Sequence, residues 1–160
     1  MVDVAIFIGS ISDKEKILPC IDILKQLEID YKFYITSAHR TPERTEKLVR
    51  ELEEKGCKVF ICAAGLAAHL AGAVAARTTR PVIGIPINAS SLGGMDSLLS
   101  TVQMPPGFPV ATVALDKVGA KNAAFLAAQI LAIFDKTLEK KINLLREDMK
   151  AQIEKFDNEL

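Results

Sequence analysis

The chain has 160 residues, 49% hydrophobic and 25% charged, and its twenty basic and twenty acidic side chains cancel. That size suits one compact domain burying roughly two-thirds of its unfolded surface, with the composition of an ordinary globular protein. The lack of a basic surplus argues against nucleic acid as a partner, no apolar run reaches the ~20 residues of a membrane span, and three cysteines without a C-x-x-C pair argue against both a disulfide framework and a zinc site.

The opening VDVAIFIGS has no basic stretch before it and no small-residue cleavage site after it, so it reads as a first strand and not as a signal peptide. It ends in GSISD, residues 9–13: a turn glycine, two hydroxyls and a carboxylate where a helix over 13–27 should begin. Amides and hydroxyls at a helix start suit a phosphate, and the Asp13 carboxylate suits ribose hydroxyls. Simple capping by Ser12 or Asp13 explains the same residues. The segment lacks the spacing of a Walker loop or a dinucleotide fingerprint, which disfavours a P-loop nucleotidase or a Rossmann dehydrogenase.

The next strand, YKFYIT, stops in SAHRTP, residues 37–42. Thr41 is a suitable N-cap and Pro42 a suitable first residue for a helix over 42–55, but capping does not account for His39 and Arg40. Arginine can hold a phosphate through a forked pair of hydrogen bonds, and histidine can move a proton near neutral pH without a cofactor. A third strand, KVFICAA, leads into AAGLAAHLAG, a small-residue loop whose backbone can approach a ligand closely before a helix over 67–77. His69 there faces either a ligand or a neighbouring subunit.

PVIGIPI is a fourth strand, followed by SSLGGMDSLLSTVQMPPGFPV, a long connection around a short helix over 95–103. A cover over a site, or an arm reaching into a neighbour, accounts for its length. PVATVAL is a fifth strand, and a helix over 119–134 follows that is apolar on nearly every side, which suggests a subunit interface. From about 136 to 157, Leu138, Ile142, Leu145, Met149, Ile153 and Phe156 form one stripe on a long charged helix, expected to dock across the domain or onto a neighbour.

Alternation of strands and helices implies a parallel sheet covered on both faces, and VAIFI and VFICAA, apolar at consecutive positions, should be buried on both. Ligands of such sheets bind beyond the carboxyl ends of the strands. Polar and glycine residues collect there, and so do both histidines of the chain. No acidic cluster or third histidine offers a metal a home. The odd, unpaired cysteines fit inert core thiols in a reduced, cytoplasmic setting.

Taken in order, GSISD, SAHRTPE, AGLAAHLAG, PVIGIP, MDSLLSTVQMPPGFPVATVA and AKNAAFLAAQIL resemble the 5-(carboxyamino)imidazole ribonucleotide mutase family of purine biosynthesis, class I of the PurE family, also called the phosphoribosylaminoimidazole carboxylase catalytic subunit. The resemblance covers most of the chain. It implies one catalytic domain over residues 1–160 with an α/β, three-layer αβα flavodoxin-like fold and a long C-terminal helix. It also implies a homo-octamer with sites at subunit junctions and no metal or organic cofactor. Substrate hand-over from the ATP-dependent synthetase that makes it is a further expectation.

By the same resemblance, Ser10, Ser12, Ser37 and Arg40 hold the substrate's phosphate, Asp13 its ribose hydroxyls, and His39 is the general acid and base. Gly65, Ala68, His69 and Leu70 line the pocket for the imidazole and its carboxylate. The reaction implied moves the carboxylate from the exocyclic nitrogen to ring carbon 4. Two positions depart from the usual AGGAAHLPG: Leu66 stands where a glycine is usual and Ala71 where a proline is. A related branch, which carboxylates aminoimidazole ribonucleotide with free carbon dioxide, carries lysine after the histidine of SAHR and AGRSN in the third motif. Arg40 and Ala67, Ala68 and His69 fit the mutase branch. A non-catalytic flavin or mononucleotide module is the alternative from a different class, and a chain with no Trp and two Tyr has little with which to stack a flavin.

Overall fold

The computed structural model describes residues 2–157, without the side chains of Phe156 and Asp157. The two ends of the expected 1–160 unit, and the place of Phe156 in the stripe, lie outside these described residues. The chain runs β1 (Val4–Ile8), a one-turn 3-10 helix (Ile11–Asp13), α1 (Lys14–Gln26), β2 (Tyr31–Ile35), α2 (Pro42–Glu54) and β3 (Val59–Gly65). It continues through α3 (Leu70–Ala75), β4 (Val82–Ile87), α4 (Met95–Val102), β5 (Ala111–Thr112), α5 (Asp116–Ala132) and α6 (Lys136–Asp157).

The five strands form one sheet in the order β2-β1-β3-β4-β5, every pair parallel. Side chains alternate across a sheet, so the unbroken apolar run of β1 divides between two cores. Val4, Ile6 and Ile8 face α1, α5 and the start of α6, packing with Ile17, Leu24, Ala124, Leu138 and Ile142. Ala5 and Phe7 face α2 and α3, packing with Val49, Leu52, Leu70 and Val74. This two-sided burial is why β1 and β3 lack a polar face. Each fully buried Phe or Ile here contributes about 1.5–3 kcal/mol.

The fifth strand is shorter than its sequence suggests, because Ala114 and Asp116 adopt φ 105° and 51° and turn the chain away from the sheet. Pro86 lies in β4 beyond the Ile83 and Gly84 positions that pair with β5, so the missing N–H of the proline costs the ladder nothing on that side. Helix α3 is also shorter than expected: residues 66–69 form a turn in which the Ala68 N–H donates to the Leu66 carbonyl at 2.9 Å.

Helix α5 has an explanation within the chain for its apolar sides. Ala120, Ala123, Ala124, Ala127 and Ala128 are all buried in the core it shares with α1, β4 and α6, so its composition requires no second copy. The stripe of α6 divides in two. Leu138 and Ile142 are buried against the domain, whereas Met149 and Ile153 are exposed, as are Leu144 and the preceding Ile133 and Phe134. Among the described residues no helix is long and apolar enough to cross a membrane.

Candidate active site

The sheet order places β1 between β2 and β3, with α1 leaving on one face and α2 on the other. Such a reversal opens a crevice at the carboxyl ends of the strands. The loops after β1, β2 and β3 enclose a cleft of about 630 Å³ there. Its lining includes Ser10, Ser12 and Asp13 from the first loop, Ser37, His39 and Arg40 from the second, and Gly65, Leu66, His69 and Leu70 from the third. Ala68 is the exception among the expected residues. It is buried behind the loop and does not line the cleft.

In the first loop, capping falls to Ser10, whose hydroxyl accepts the Ser12 N–H at 3.3 Å and the Ser12 hydroxyl at 2.8 Å. Asp13 stands at the N-cap of α1 but its carboxylate makes no cap hydrogen bond. Burial raises the Asp13 carboxyl above its ordinary pKa, against the opposing pull of Ser12 and Lys16. A nearly buried carboxylate that caps nothing is available to a ligand.

In the second loop, Thr41 occupies the N-cap of α2 and Pro42 its first turn, yet the Thr41 side chain does not cap the helix. It folds back instead, accepting the Ser37 N–H at 3.0 Å and lying 3.2 Å from the Ser37 carbonyl. Below it Thr36 and Thr45 share a buried hydroxyl contact of 2.8 Å. This ladder fixes the turn that carries His39 and Arg40. The Ser37 hydroxyl accepts the Arg40 N–H at 3.1 Å, and the Arg40 guanidinium donates to the Gly9 carbonyl at 2.8 Å. No carboxylate pairs with Arg40 among the described residues, so its charge is open to an anion between the first two loops.

In the third loop, a Cβ on Gly65 would lie 2.7 Å from the Ala89 Cβ and 3.1 Å from the Ile87 carbonyl, so only glycine lets β3 and β4 close there. His69 is the N-cap of α3, one position before its first helical residue. Its ring lies 5.3 Å from that of His39, centroid to centroid, at a tilt of 30°. The two histidines, thirty positions apart in sequence, thus share one wall.

Sequence reasoning missed a clasp behind this wall. The Lys16 ammonium donates to the Asn88 carbonyl at 2.5 Å and pairs with the Asp116 carboxylate at 2.9 Å, while that carboxylate accepts the Asn88 N–H at 2.9 Å. It ties α1, the end of β4 and the start of α5 together beside Ala89, which lines the cleft. Asp116 follows a strand and so sits where ligand-side residues gather, but no spacing links it to Lys16. The cover expected after Asn88 is not found. Helix α4 packs on β4 through Ser97 and Thr101, and nothing from 90–110 lines the cleft.

The three cysteines are free and buried. Burial pushes the thiols up, to about 12 for Cys20 and about 11 for Cys57. Among the described residues no group of three or more His, Cys, Asp or Glu could hold a metal ion.

Residues 3–152 match the AIR carboxylase family. A Pyrococcus abyssi protein described as N5-carboxyaminoimidazole ribonucleotide mutase is 51% identical, covering 94% of this chain and 85% of its own. A Bacillus subtilis protein of the same description is 48% identical, covering 98% and 97%. Among solved structures, that of Treponema denticola PurE superposes with a TM-score of 0.90 at 30% identity, covering 100% of this chain and 99% of the other.

Proposed function

The chain belongs to the AIR carboxylase family, and from that premise we propose that its cleft is the active site of an N5-carboxyaminoimidazole ribonucleotide mutase, an isomerase of purine biosynthesis. The observation that carries this reading is the convergence of two imidazoles with a free arginine, three serines and an uncapping aspartate on one cleft at the switch point of the sheet.

Each group has a task suited to its chemistry. Arg40, with Ser10, Ser12 and Ser37, takes the phosphate between the first two loops, exchanging its hydrogen bond to Gly9 for charge-assisted ones. Asp13 accepts from the ribose hydroxyls, and binding that desolvated carboxylate to two donors offsets the cost of its burial. The aminoimidazole then lies along the third loop, with Gly65 allowing close backbone approach and Leu70 and His69 at its edge.

His39 carries the proton. As the bond between the exocyclic nitrogen and its carboxylate breaks, the electron pair returns to nitrogen, which takes a proton from His39, and carbon dioxide is released inside the cleft. The electron-rich ring carbon 4 attacks it, and His39 recovers the proton that carbon 4 loses as aromaticity returns. No net proton is consumed, as an isomerisation requires. A histidine suits both directions because its ordinary pKa lies near neutrality.

The active unit is a homo-octamer of cytoplasmic location. The exposed Ile133, Phe134, Leu144 and Ile153 supply apolar surface for such assembly, and the buried free thiols suit a reducing compartment. A transient hand-over of the labile substrate from the ATP-dependent synthetase completes the reading. The test is to supply substrate with a carbon-13 carboxylate in excess unlabelled bicarbonate and weigh the product. Retained label is expected. Complete replacement by bicarbonate makes the chain a carboxylase instead, and absence of product removes the reading altogether.

A further inference from the structure

Leu66 holds a backbone conformation that its side chain opposes. Its φ of 56° is left-handed, a region where a bulky residue is an outlier. Among the described residues Gly56, Gly93, Gly94 and Gly107 also hold positive φ, as do Glu28, Ala114 and Asp116, but Leu66 alone does so with a large apolar side chain. Strain of this kind persists where the surroundings or a function demand it. Packing does not supply the demand here, because Leu66 is 57% exposed and belongs to neither core.

What Leu66 does touch is the cleft. It lines the same wall as Ala67, His69 and His39, among neighbours that are otherwise small, polar or, like Leu70, buried. No other large apolar side chain is both exposed and part of that lining. The 90–110 segment is not part of that lining, so within the described residues of one chain the rim is what stands over the cleft.

Carbon dioxide is small, neutral and apolar, and once the carbamate bond has broken nothing holds it but the walls of the cleft. Water at that point competes twice, by carrying the gas away and by admitting dissolved carbon dioxide from solution. An apolar side chain at the mouth, fixed by a left-handed backbone, opposes both. We propose that Leu66 is the retention-determining residue of this cleft: its side chain closes the mouth over the aminoimidazole and confines the released carbon dioxide until ring carbon 4 captures it. The proposal rests on the mutase reading above.

The two requirements, side chain and backbone, can be separated by substitution. Leu66→Gly removes the side chain and relieves the conformation; Leu66→Ala removes most of the side chain but keeps the strain; Leu66→Met keeps the bulk. Each full-length variant is given substrate with a carbon-13 carboxylate in excess unlabelled bicarbonate, and the ratio of exchanged to retained label in the product is measured beside Tm. The ratio is expected to rise about tenfold in the Ala and Gly variants, the scale on which a hydrophobic site discriminates, and to stay near the parent value in Met. Tm is expected to rise in Gly alone, which separates retention from stability. Equal retention in parent, Ala and Gly enzymes overturns the role of Leu66. A parent enzyme that itself exchanges all label overturns the mutase reading, and the role of Leu66 with it.

Discussion

The molecule has a hollow at each end of its sheet, and the larger is not the one with chemistry in it. At the amino ends of β4 and β5 a cavity of about 830 Å³ is lined by Glu53, Arg77, Thr78, Arg80, Phe108 and Ile130. Its charged groups are spoken for: Arg77 pairs with Glu46 at 3.3 Å, Arg80 with Glu53 at 3.9 Å, and the Thr78 hydroxyl donates to Glu53 at 2.5 Å. At the carboxyl ends the cleft is smaller, about 630 Å³, but its arginine has only a backbone carbonyl, its aspartate caps nothing, and its two imidazoles face one another. Function is marked by polar groups left open to a ligand, and volume says little about where they are.

The largest effect that sharpens this contrast is loss of the proton carrier. Replacing His39 by Asn should lower kcat by roughly 10²- to 10⁴-fold, the usual scale of general acid-base catalysis, while Tm stays put because the side chain is exposed. A variant that turns over normally sinks the role of His39.

Next comes a matched pair of arginines. Removal of Arg40, as Arg40→Ala, should raise KM about ten- to hundredfold, the value of hydrogen bonds to a charged group, with a smaller change in kcat. Arg77→Ala at the opposite hollow should leave both constants alone and cost no more than about 1 kcal/mol in a urea titration, as a surface ion pair does. If Arg77 mattered to KM as Arg40 does, the distinction between the two ends would fail.

Asp13→Asn should trade function for stability. Burial raises the native pKa of Asp13, so the native state holds that proton more tightly than the unfolded chain. Its favourable contribution is complete below the ordinary carboxylate value and is lost as pH rises from there through the raised native value. The Asn variant, which never ionises, should therefore gain in urea midpoint at pH 7 and not at about pH 3, while its KM rises. A midpoint gain of equal size at both pH values would refute that origin.

The smallest effect belongs to the clasp. Asp116→Asn weakens the tie among Lys16, Asn88 and α5 without touching the cleft, and about 1 kcal/mol is at stake for a half-buried pair that solvent still screens. KM should rise a few-fold and kcat hold. A loss in kcat matching that of His39→Asn would place the clasp in the chemistry itself.

Much of this was legible in one dimension. The βα alternation, the doubly buried β1 and β3, and the gathering of Ser37, His39, Arg40 and His69 after strands follow from hydrophobic periodicity and turn chemistry, which are local properties. The misses share a cause. PVATVAL reads as a full strand because apolar alternation cannot report the left-handed Ala114 that ends it, and composition cannot show that α1 and α6 already cover the alanine face of α5.

Residue order alone therefore set the layers of the fold and named the cluster of reactive groups. Tertiary structure decided the rest: that Asp13 caps nothing, that Thr41 serves Ser37 instead of its helix, that Ala68 is buried, and that two histidines thirty positions apart lie 5.3 Å from each other. The physical reason is that periodicity records which way a side chain must face, whereas hydrogen-bond partners and ring contacts depend on which strands become neighbours. That choice is made only when β1 is paired on one edge by β2 and on the other by β3.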